Sequence, residues 1–340
     1  MLNKFSFKKG LLNLSVGIAL GMSSLASAGD LTIYSSLEDD EIADILKVAK
    51  AELPGITFNV LRLSTGDLGA RILAEKAAPK HDLIWGWALT NMSNPQITEM
   101  IEPYKAKGVD KISDKFKSKN NLWFAPTGYM AAFCVNTDRL KKKGLPMPTS
   151  WEDLLNPVYK GELIMPNPNS SGTGYLQVAS ILQDRGEEAG WAYLKKLDPN
   201  MGQYIKSGSK PCKLTRAGEY SVGASFAFIA LKSIKKGYPI KMVIPKEGAG
   251  FELEANALMK SSKNKEDAKK FLDWTLSESA GKEYSKTKAI VATPGAKPSA
   301  DAIAAGLPED VSSILFNIDF EKSAKERDSI LKKWKETLER

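Results

Sequence analysis

The 340-residue sequence has a single histidine, His81, which precedes an apolar stretch and is expected in a surface loop. One histidine excludes zinc sites built from several, and a Ser-His-Asp triad could use only this residue. The spacing Gly-x-Ser-x-Gly, which marks a hydrolase nucleophile, is also absent. A secreted serine hydrolase that uses Ser170 or Ser171 stays the alternative from a different class, but these absences favour a protein that is not an enzyme.

Only two cysteines occur, Cys134 and Cys212, and they are far apart in the sequence. Without a Cys-x-x-Cys spacing, a thiol redox function is not favoured. In an oxidising compartment the two residues could form a disulfide. Two free buried thiols are an equally good interpretation, because the distance between the residues cannot be read from the sequence.

Long apolar runs are missing except at the N-terminus. There, three lysines precede an apolar core at residues 11–20, and Ala26 and Ala28 then place small residues at alternate positions. This layout predicts a signal peptide at residues 1–28 and a periplasmic protein, with a buried N-terminal helix as the other interpretation. No later stretch reaches the roughly 18 consecutive apolar residues that a membrane span needs.

The formal net charge is +8, from 48 lysines and arginines against 40 aspartates and glutamates. The excess lies in scattered lysine-rich stretches such as 141–144 and 260–265, which are typical of solvated turns. Because no aromatic residues interleave with these lysines, we expect no nucleic-acid partner. The length suggests about two lobes, and we expect a monomer without a cofactor.

Strands and helices alternate after the predicted signal peptide. The hydrophobic periodicity predicts a strand at 31–34, a helix at 38–53, a strand at 56–64, a helix at 65–77 and a strand at 81–87. This order predicts an α/β fold with a mostly parallel sheet flanked by helices. In such sheets, ligands bind beyond the carboxyl ends of the strands.

Two long extended stretches, 123–138 and 250–262, contain no helical period and are predicted to cross between lobes. The predicted first lobe combines residues 29–128 and 255–340. The predicted second lobe is formed by residues 129–254 with the hinge crossovers. Each lobe is expected to be a mixed sheet flanked by helices, and the two lobes are joined by two crossover strands.

The stretch "MPNPNSSGTGY", at 165–175, predicts a strand, a turn and the start of a helix. Glycines in the first turn would let backbone amides face a ligand, and hydroxyls stand beside them. Such a helix start is a cradle for an anion such as a phosphonate or phosphate. A second stretch, "YIKSGSKP" at 204–211, could add donors. An ordinary helix cap and a surface turn are the alternatives for the two stretches.

The sequence resembles the extracytoplasmic solute-binding proteins of ABC importers over nearly all of the chain after residue 28. The resemblance rests on "LTIYSSLE", "DLIWGW", "YKGELIMPNPNSSGTGY", "GWAYLKKLDPN", "YIKSGSKP", "GEYSVGASFAF" and "KEGAGFELEANALMK". Within that group it is similar to the ferric-iron-binding branch and, closer still, to 2-aminoethylphosphonate-binding relatives. "SSGTGY" and "SGSKP" are the more specific segments.

The resemblance implies a type II periplasmic-binding-protein fold whose two lobes close over a ligand. It also implies an ABC permease and ATPase in the inner membrane as partners, a small phosphonate as ligand, and no catalysis. The ferric branch holds its metal with adjacent tyrosines, whereas this sequence offers Tyr204 alone. A phosphate ester such as a sugar phosphate, and ferric ion, stay open as alternative ligands.

An amine on the ligand would call for carboxylates or aromatic faces. Trp85 and Trp87 alternate at the end of a strand, and Trp87 is the one expected at the ligand. Glu252 and Glu254 share one face of the second crossover, and Glu254 is slightly preferred. The predicted ligand-binding set is Tyr34, Ser35, Ser36, Trp87, Ser170, Ser171, Gly172, Thr173, Gly174, Tyr175, Tyr204, Ser207, Ser209, Lys210, Ser225, Glu252 and Glu254.

Overall fold

The computed structural model describes residues 29–338, so the predicted signal peptide lies outside the described residues. The strands are β1 (Gly29–Ser35), β2 (Ile56–Arg62), β3 (Leu83–Ala88), β4 (Ile101–Glu102), β5 (Phe124–Asn136), β6 (Leu163–Pro166), β7 (Met201–Ile205), β8 (Val222–Phe226), β9 (Ile240–Val243), β10 (Phe251–Met259) and β11 (Ile290–Val291). The helices are α1 (Asp39–Glu52), α2 (Thr65–Ala74), α3 (Leu89–Met92), α4 (Pro95–Thr98), α5 (Thr137–Lys143), α6 (Gly172–Arg185), α7 (Glu187–Leu197), α8 (Lys210–Arg216), α9 (Ala227–Lys235), α10 (Lys265–Trp274), α11 (Glu278–Ser285), α12 (Ala300–Ala304) and α13 (Phe320–Thr337).

The alternation of strands and helices predicted near the start of the chain is confirmed. Strand β1 pairs in parallel with both β2 and β3, and α1 and α2 connect them. Helix α1 buries Ile42, Ile45 and Ala49, which recur at helical spacing. The parallel pairing brings the carboxyl ends of these strands to one edge of the sheet.

Two sheets share one long strand, β5. The first sheet has the order β2-β1-β3-β10-β5, and the second continues from β5 through β8 and β6 to β7. Thr127, in the first half of β5, pairs with Glu254 of β10, whereas Cys134, in the second half, pairs with Gly223 of β8. Both sheets contain parallel and antiparallel pairs, so the predicted α/β fold with mixed sheets is confirmed.

The C-terminal helix α13 packs on the second lobe. Its residues Ile330 and Trp334 lie in a core cluster with Phe133 and Trp151, which belong to the second lobe. The chain reaches α13 through a segment in which Leu315 forms a parallel bridge with Ala249, next to β10. Helix α13 also packs against α3 of the first lobe, so the first-lobe range 255–340 stays a prediction.

Cys134 and Cys212 form a disulfide that joins β5 to α8. Both cysteines are fully buried in the second lobe. Of the two interpretations that the sequence left open, the structure shows the disulfide. The bond fixes the helix that follows the 204–211 stretch to the strand shared by the two sheets.

His81 is buried, with 2% of its surface exposed, although the sequence predicted a surface loop. Its ring stacks on Tyr34 with the centroids 4.1 Å apart. Among the described residues, neither ring nitrogen has a hydrogen-bond partner. Burial lowers the pKa of His81 to about 4 from 6.5, and the nearby carboxylates of Glu75 and Asp82 oppose this shift only in part.

We expect His81→Phe to reduce the acid sensitivity of the fold. The unfolded chain protonates His81 near pH 6.5 and the folded chain only near pH 4. Between these values the unfolded state binds more protons, so the wild type loses stability as the pH falls through this window, by about 3 kcal/mol at most. Urea unfolding of both proteins at pH 7, 5.5 and 4 measures this difference, and parallel pH profiles would contradict it.

No helix within residues 29–338 is both long enough and apolar enough to cross a membrane.

Candidate ligand-binding cleft

The carboxyl ends of parallel strands from both lobes meet at one cleft. In the first lobe β1 and β2 end at Ser35 and Arg62, and in the second β6 and β8 end at Pro166 and Phe226. Ligands of open α/β sheets bind at such edges. A cavity of about 40 Å³ lies between the two edges.

Two helices begin at this cavity, one from each lobe. Helix α2 starts at Thr65 and helix α6 at Gly172, and both residues line the cavity together with Ser64 and Thr173. The first-turn amides of a helix have no partner within the helix and carry partial positive charge. An anion in the cavity therefore meets helix N-termini and hydroxyl groups from both lobes.

The cap of α6 reaches one of the first-turn amides. Ser171 Oγ accepts a hydrogen bond from the Gly174 amide at 3.3 Å. The helical ladder begins with the Tyr175 amide, which donates to the Ser171 carbonyl at 2.9 Å. The amides of Gly172 and Thr173 lie ahead of this ladder, at the wall of the cavity.

The loop that follows β7 reaches the same wall because Gly208 has no side chain. A Cβ on Gly208 would lie 2.5 Å from Thr173 Oγ1, closer than such atoms can approach. The loop is held by Ser225, whose Oγ donates to the Gly208 carbonyl at 2.8 Å. The hydroxyls of Ser207 and Ser209 lie 3.2 Å apart and bond to each other.

The two lobes touch across the cleft, which is the closed arrangement. The Gly66 amide at the start of α2 donates to the Ser170 carbonyl of the second lobe at 3.0 Å. A Cβ on Gly66 would lie 2.4 Å from the Asn169 carbonyl oxygen. The contact therefore depends on glycine at position 66.

Ion pairs join the lobes at the rim of the cleft. Lys206 Nζ lies 3.0 Å from Asp67 Oδ2, and Lys213 Nζ lies 3.1 Å from Glu38 Oε2. Glu38 also pairs with Arg62 of its own lobe at 2.8 Å. Both lysines are exposed by more than a third, so each inter-lobe pair contributes only up to about 1 kcal/mol.

A buried cluster of charges forms the wall of the cavity that faces the hinge. Glu41 of α1 and Glu254 of β10 both line the cavity, and Lys288 pairs with both carboxylates. Lys288 Nζ lies 2.6 Å from Glu254 Oε1, and Thr127 Oγ1 donates to Glu254 Oε2 at 2.5 Å. Burial raises the pKa of Glu41 above its ordinary value, and the charge of Lys288 opposes that rise.

The predicted site residues fall into three groups. Those that line the cavity are Ser36, Ser171, Gly172, Thr173 and Glu254. Those that hold the adjoining loops are Ser170, Gly174, Ser207, Ser209 and Ser225. Those that the structure does not bring to the cavity are Tyr34, Ser35, Trp87, Tyr175, Tyr204, Lys210 and Glu252.

Residues of the third group have other contacts, and most are buried. The Trp87 indole lies behind the cavity and donates to the Thr65 carbonyl at 3.1 Å. Glu252 accepts from Thr90 Oγ1 at 2.6 Å. Tyr204 packs on the Trp334 ring with the centroids 5.0 Å apart.

The remaining members of this group either have other partners or are exposed. Tyr34 donates to Glu75 Oε2 at 2.7 Å, and Ser35 Oγ accepts from the Leu37 amide at 3.2 Å. Tyr175 donates to the Ser323 carbonyl of α13. Lys210 is exposed at the start of α8.

Among the residues that the sequence prediction missed are Thr65, Glu41 and Arg62, which line the cavity, and Lys288, which pairs with Glu41 behind it. One signal for Thr65 was present, because "STG" at 64–66 repeats the pattern of hydroxyls and a glycine that opens α6. No comparable signal exists for Glu41, which lies on the first turn of an ordinary amphipathic helix. Lys288 has none either, because only the fold brings it to β10.

Two α/β lobes that close over a small polar cleft define a solute-binding protein. Residues 91–320 match the family of bacterial extracellular solute-binding proteins, and the chain belongs to this family. The family and the structural neighbours are binding proteins, not enzymes. Such proteins work with an ABC permease and ATPase, and the homologues are periplasmic.

Three relatives illustrate the likeness. An uncharacterized protein of Haemophilus influenzae is 32% identical over 98% of this chain and 97% of its own length. The periplasmic binding protein AfuA from Actinobacillus pleuropneumoniae, solved with exogenous fructose-6-phosphate bound, is 33% identical with a TM-score of 0.83 and covers 92% of this chain and 99% of its own. The apo ferric-ion-binding protein A of Pasteurella haemolytica, 21% identical with a TM-score of 0.75 over 91% and 97% of the two chains, supports the type II fold.

The described residues hold no group of three or more His, Cys, Asp or Glu side chains that could bind a metal ion. Within residues 29–338, the ferric-ion alternative therefore has no cluster of His, Cys, Asp or Glu ligands to support it.

Proposed function

We propose that the protein captures a small phosphonate, 2-aminoethylphosphonate, in the cleft between its lobes and delivers it to the membrane permease. One observation carries this proposal: the cavity has hydrogen-bond donors on one side and carboxylates on another. Helix starts and hydroxyls of Thr65, Ser171 and Thr173 suit an oxyanion, and the buried carboxylates of Glu41 and Glu254 suit an ammonium group. A zwitterion with one group at each end matches both walls.

The groups that would bind the ligand are divided between the two lobes, so a bound ligand would hold the lobes together. Thr65 and Glu41 belong to the first lobe, and Ser171 and Thr173 to the second. A ligand that contacts both sets stabilises the closed arrangement by its differential affinity for that arrangement. Removal of water from the charged hydrogen bonds strengthens them further.

A sugar phosphate is the second candidate ligand. It is favoured by the likeness to AfuA, which was solved with fructose-6-phosphate bound. The cavity of about 40 Å³ has room for roughly three water molecules, at about 10–15 Å³ each. This size favours the smaller phosphonate, because the cleft must widen less to admit it than to admit a hexose phosphate.

Titration calorimetry of the purified protein with a panel of ligands tests the proposal. The panel contains 2-aminoethylphosphonate, ethylphosphonate, inorganic phosphate, fructose 6-phosphate and ferric citrate. We expect 2-aminoethylphosphonate to bind most tightly. Tighter binding of fructose 6-phosphate would transfer the proposal to the second candidate, and ferric citrate as the sole ligand would overturn both.

The same titration with Thr173→Val tests the oxyanion cradle. The substitution removes the hydroxyl but keeps the shape of the side chain. We expect a rise of about tenfold in the Kd for every phosphorus compound that binds, since a hydrogen bond to a charged group contributes roughly 1.5–3 kcal/mol. Thr98→Val, on the exposed helix α4, is the matched control, and an unchanged Kd in Thr173→Val would contradict the cradle.

A further inference from the structure

Lys288 lies behind the carboxylate wall and is not itself part of the cavity surface. It is 3% exposed and follows α11, whereas Glu41 comes from α1 and Glu254 from the crossover strand β10. Its ammonium group reaches both carboxylates from the side opposite the cavity. Three separate elements of the chain therefore bring two acids and one base together beside the cavity.

The charges of this cluster do not balance. Buried charges are costly unless they are paired, and one ammonium group can neutralise only one of the two carboxylates. Glu38, another acid at the cavity, already pairs with both Arg62 and Lys213. The cluster of Glu41, Glu254 and Lys288 is thus left with one uncompensated negative charge when both acids are ionised.

The contacts show that the single ammonium group is shared between the two carboxylates. Both oxygens of Glu254 are bonded, one to Lys288 and one to Thr127. Glu41 Oε2 accepts from the Glu38 amide at 3.3 Å. Glu41 Oε1 is in ion-pair contact with the same ammonium group, so the two carboxylates share one cation. Because Glu41 and Glu254 both line the cavity, the negative charge that Lys288 does not neutralise borders the ligand site.

We infer that Lys288 is a specificity-determining residue that sets the charge of the ligand: it neutralises one buried carboxylate and leaves the other for a single ligand cation. This inference rests on the proposed function, in which the ligand carries an ammonium group. A neutral ligand end leaves the charge of the cluster unbalanced, and a dication exceeds it. Lys288 therefore selects a ligand with one cationic group beside its oxyanion.

A double-mutant cycle on the full protein tests the inference by titration calorimetry, with 2-aminoethylphosphonate and ethylphosphonate as the matched probes. Glu41→Gln leaves Glu254 and Lys288 as a neutral pair. We expect this variant to raise the Kd for 2-aminoethylphosphonate about tenfold or more. The Kd for ethylphosphonate, which lacks the amine, should change by less than about threefold.

Addition of Lys288→Met to Glu41→Gln leaves Glu254 as one unpaired acid, so the net charge of the wild-type cluster is restored. We expect the double variant to recover the affinity for 2-aminoethylphosphonate to within about threefold of wild type. A merely structural Lys288 would make the double variant bind no better than Glu41→Gln, and this result would overturn the inference. If Glu41→Gln does not fold, Glu254→Gln with and without Lys288→Met provides the same cycle.

The wild-type titration separates the two possible failures. A wild type that binds 2-aminoethylphosphonate, with no recovery in the double variant, overturns the role of Lys288 alone. A wild type that binds neither phosphonate overturns the proposed function, and the inference that rests on it falls too.

Discussion

Gly66→Ala is expected to weaken ligand binding by roughly 50-fold, because overpacking of this kind costs about 1–3 kcal/mol. The added Cβ would lie 2.4 Å from the Asn169 carbonyl oxygen, which belongs to the opposite lobe. Backbone cannot rotate away as a side chain could, so the lobes must stay further apart. The measured affinity falls in proportion to the fraction of molecules that can close.

The open protein should tolerate this substitution. Position 66 is in the first turn of α2, where alanine is a better helix former than glycine by about 1 kcal/mol. The melting temperature without ligand should therefore stay the same or rise while the affinity falls. Titration calorimetry and thermal unfolding of the same samples measure the two effects.

Gly55→Ala is the matched control, since a Cβ at position 55 meets no atom within 4 Å. It should leave the Kd unchanged. Wild-type affinity in Gly66→Ala would show that ligand is held without the closed contact between Gly66 and Ser170, and the closure account would then be wrong.

The second large effect is expected from loss of the disulfide. Cys134 and Cys212 are 78 residues apart, and closing a loop of this length raises the free energy of the unfolded chain by about 4.5 kcal/mol at 25 °C, because it lowers the entropy of that chain. The double variant Cys134→Ala/Cys212→Ala should lose about that much free energy of unfolding. Urea unfolding of the variant and of oxidised wild type measures it.

Reduced wild type is the control for this prediction, because it keeps both sulfur atoms and loses only the bond. Reduced protein and the double variant should unfold at similar urea concentrations, both well below that for oxidised protein. Two reactive thiols in denatured, unreduced protein would contradict the disulfide directly.

Local patterns were sufficient for the strands and helices that build the cleft. Alternation in "ITFNVLR" and helical spacing in α1 depend on which face of one element is buried, and a short window of sequence records this. The glycine and hydroxyl pattern at the start of α6 was readable for the same reason. Chain order then indicated a parallel sheet, and with it the edge at which a ligand would bind.

The direction of individual side chains at that edge could not be read in the same way. Trp87 and Glu252 lie at the predicted strand ends, but each turns to a buried partner, Thr65 and Thr90 respectively. Glu252 shares a face of β10 with Glu254, so the alternation of strand residues could not separate the two, and only the packed structure shows which of them borders the cleft. Tyr34 lies inside the fold, where its ring stacks on the ring of His81.

Contacts between distant parts of the chain could not be predicted from the sequence. Lys288 is separated from Glu41 by most of the chain, and nothing near either residue indicates the other. The surface that α13 covers could not be predicted for the same reason. The amphipathic face of this helix was visible in the sequence, but its position depends on the path of the segment that pairs with Ala249.

The most direct test of the account is a crystal structure of the protein with 2-aminoethylphosphonate. The account predicts the phosphonate oxygens within hydrogen-bond distance of the Gly172 and Thr173 amides and the Thr65 hydroxyl, with the ammonium group at Glu41. A bound ligand whose phosphorus lies elsewhere, with the first turn of α6 facing solvent, would contradict it.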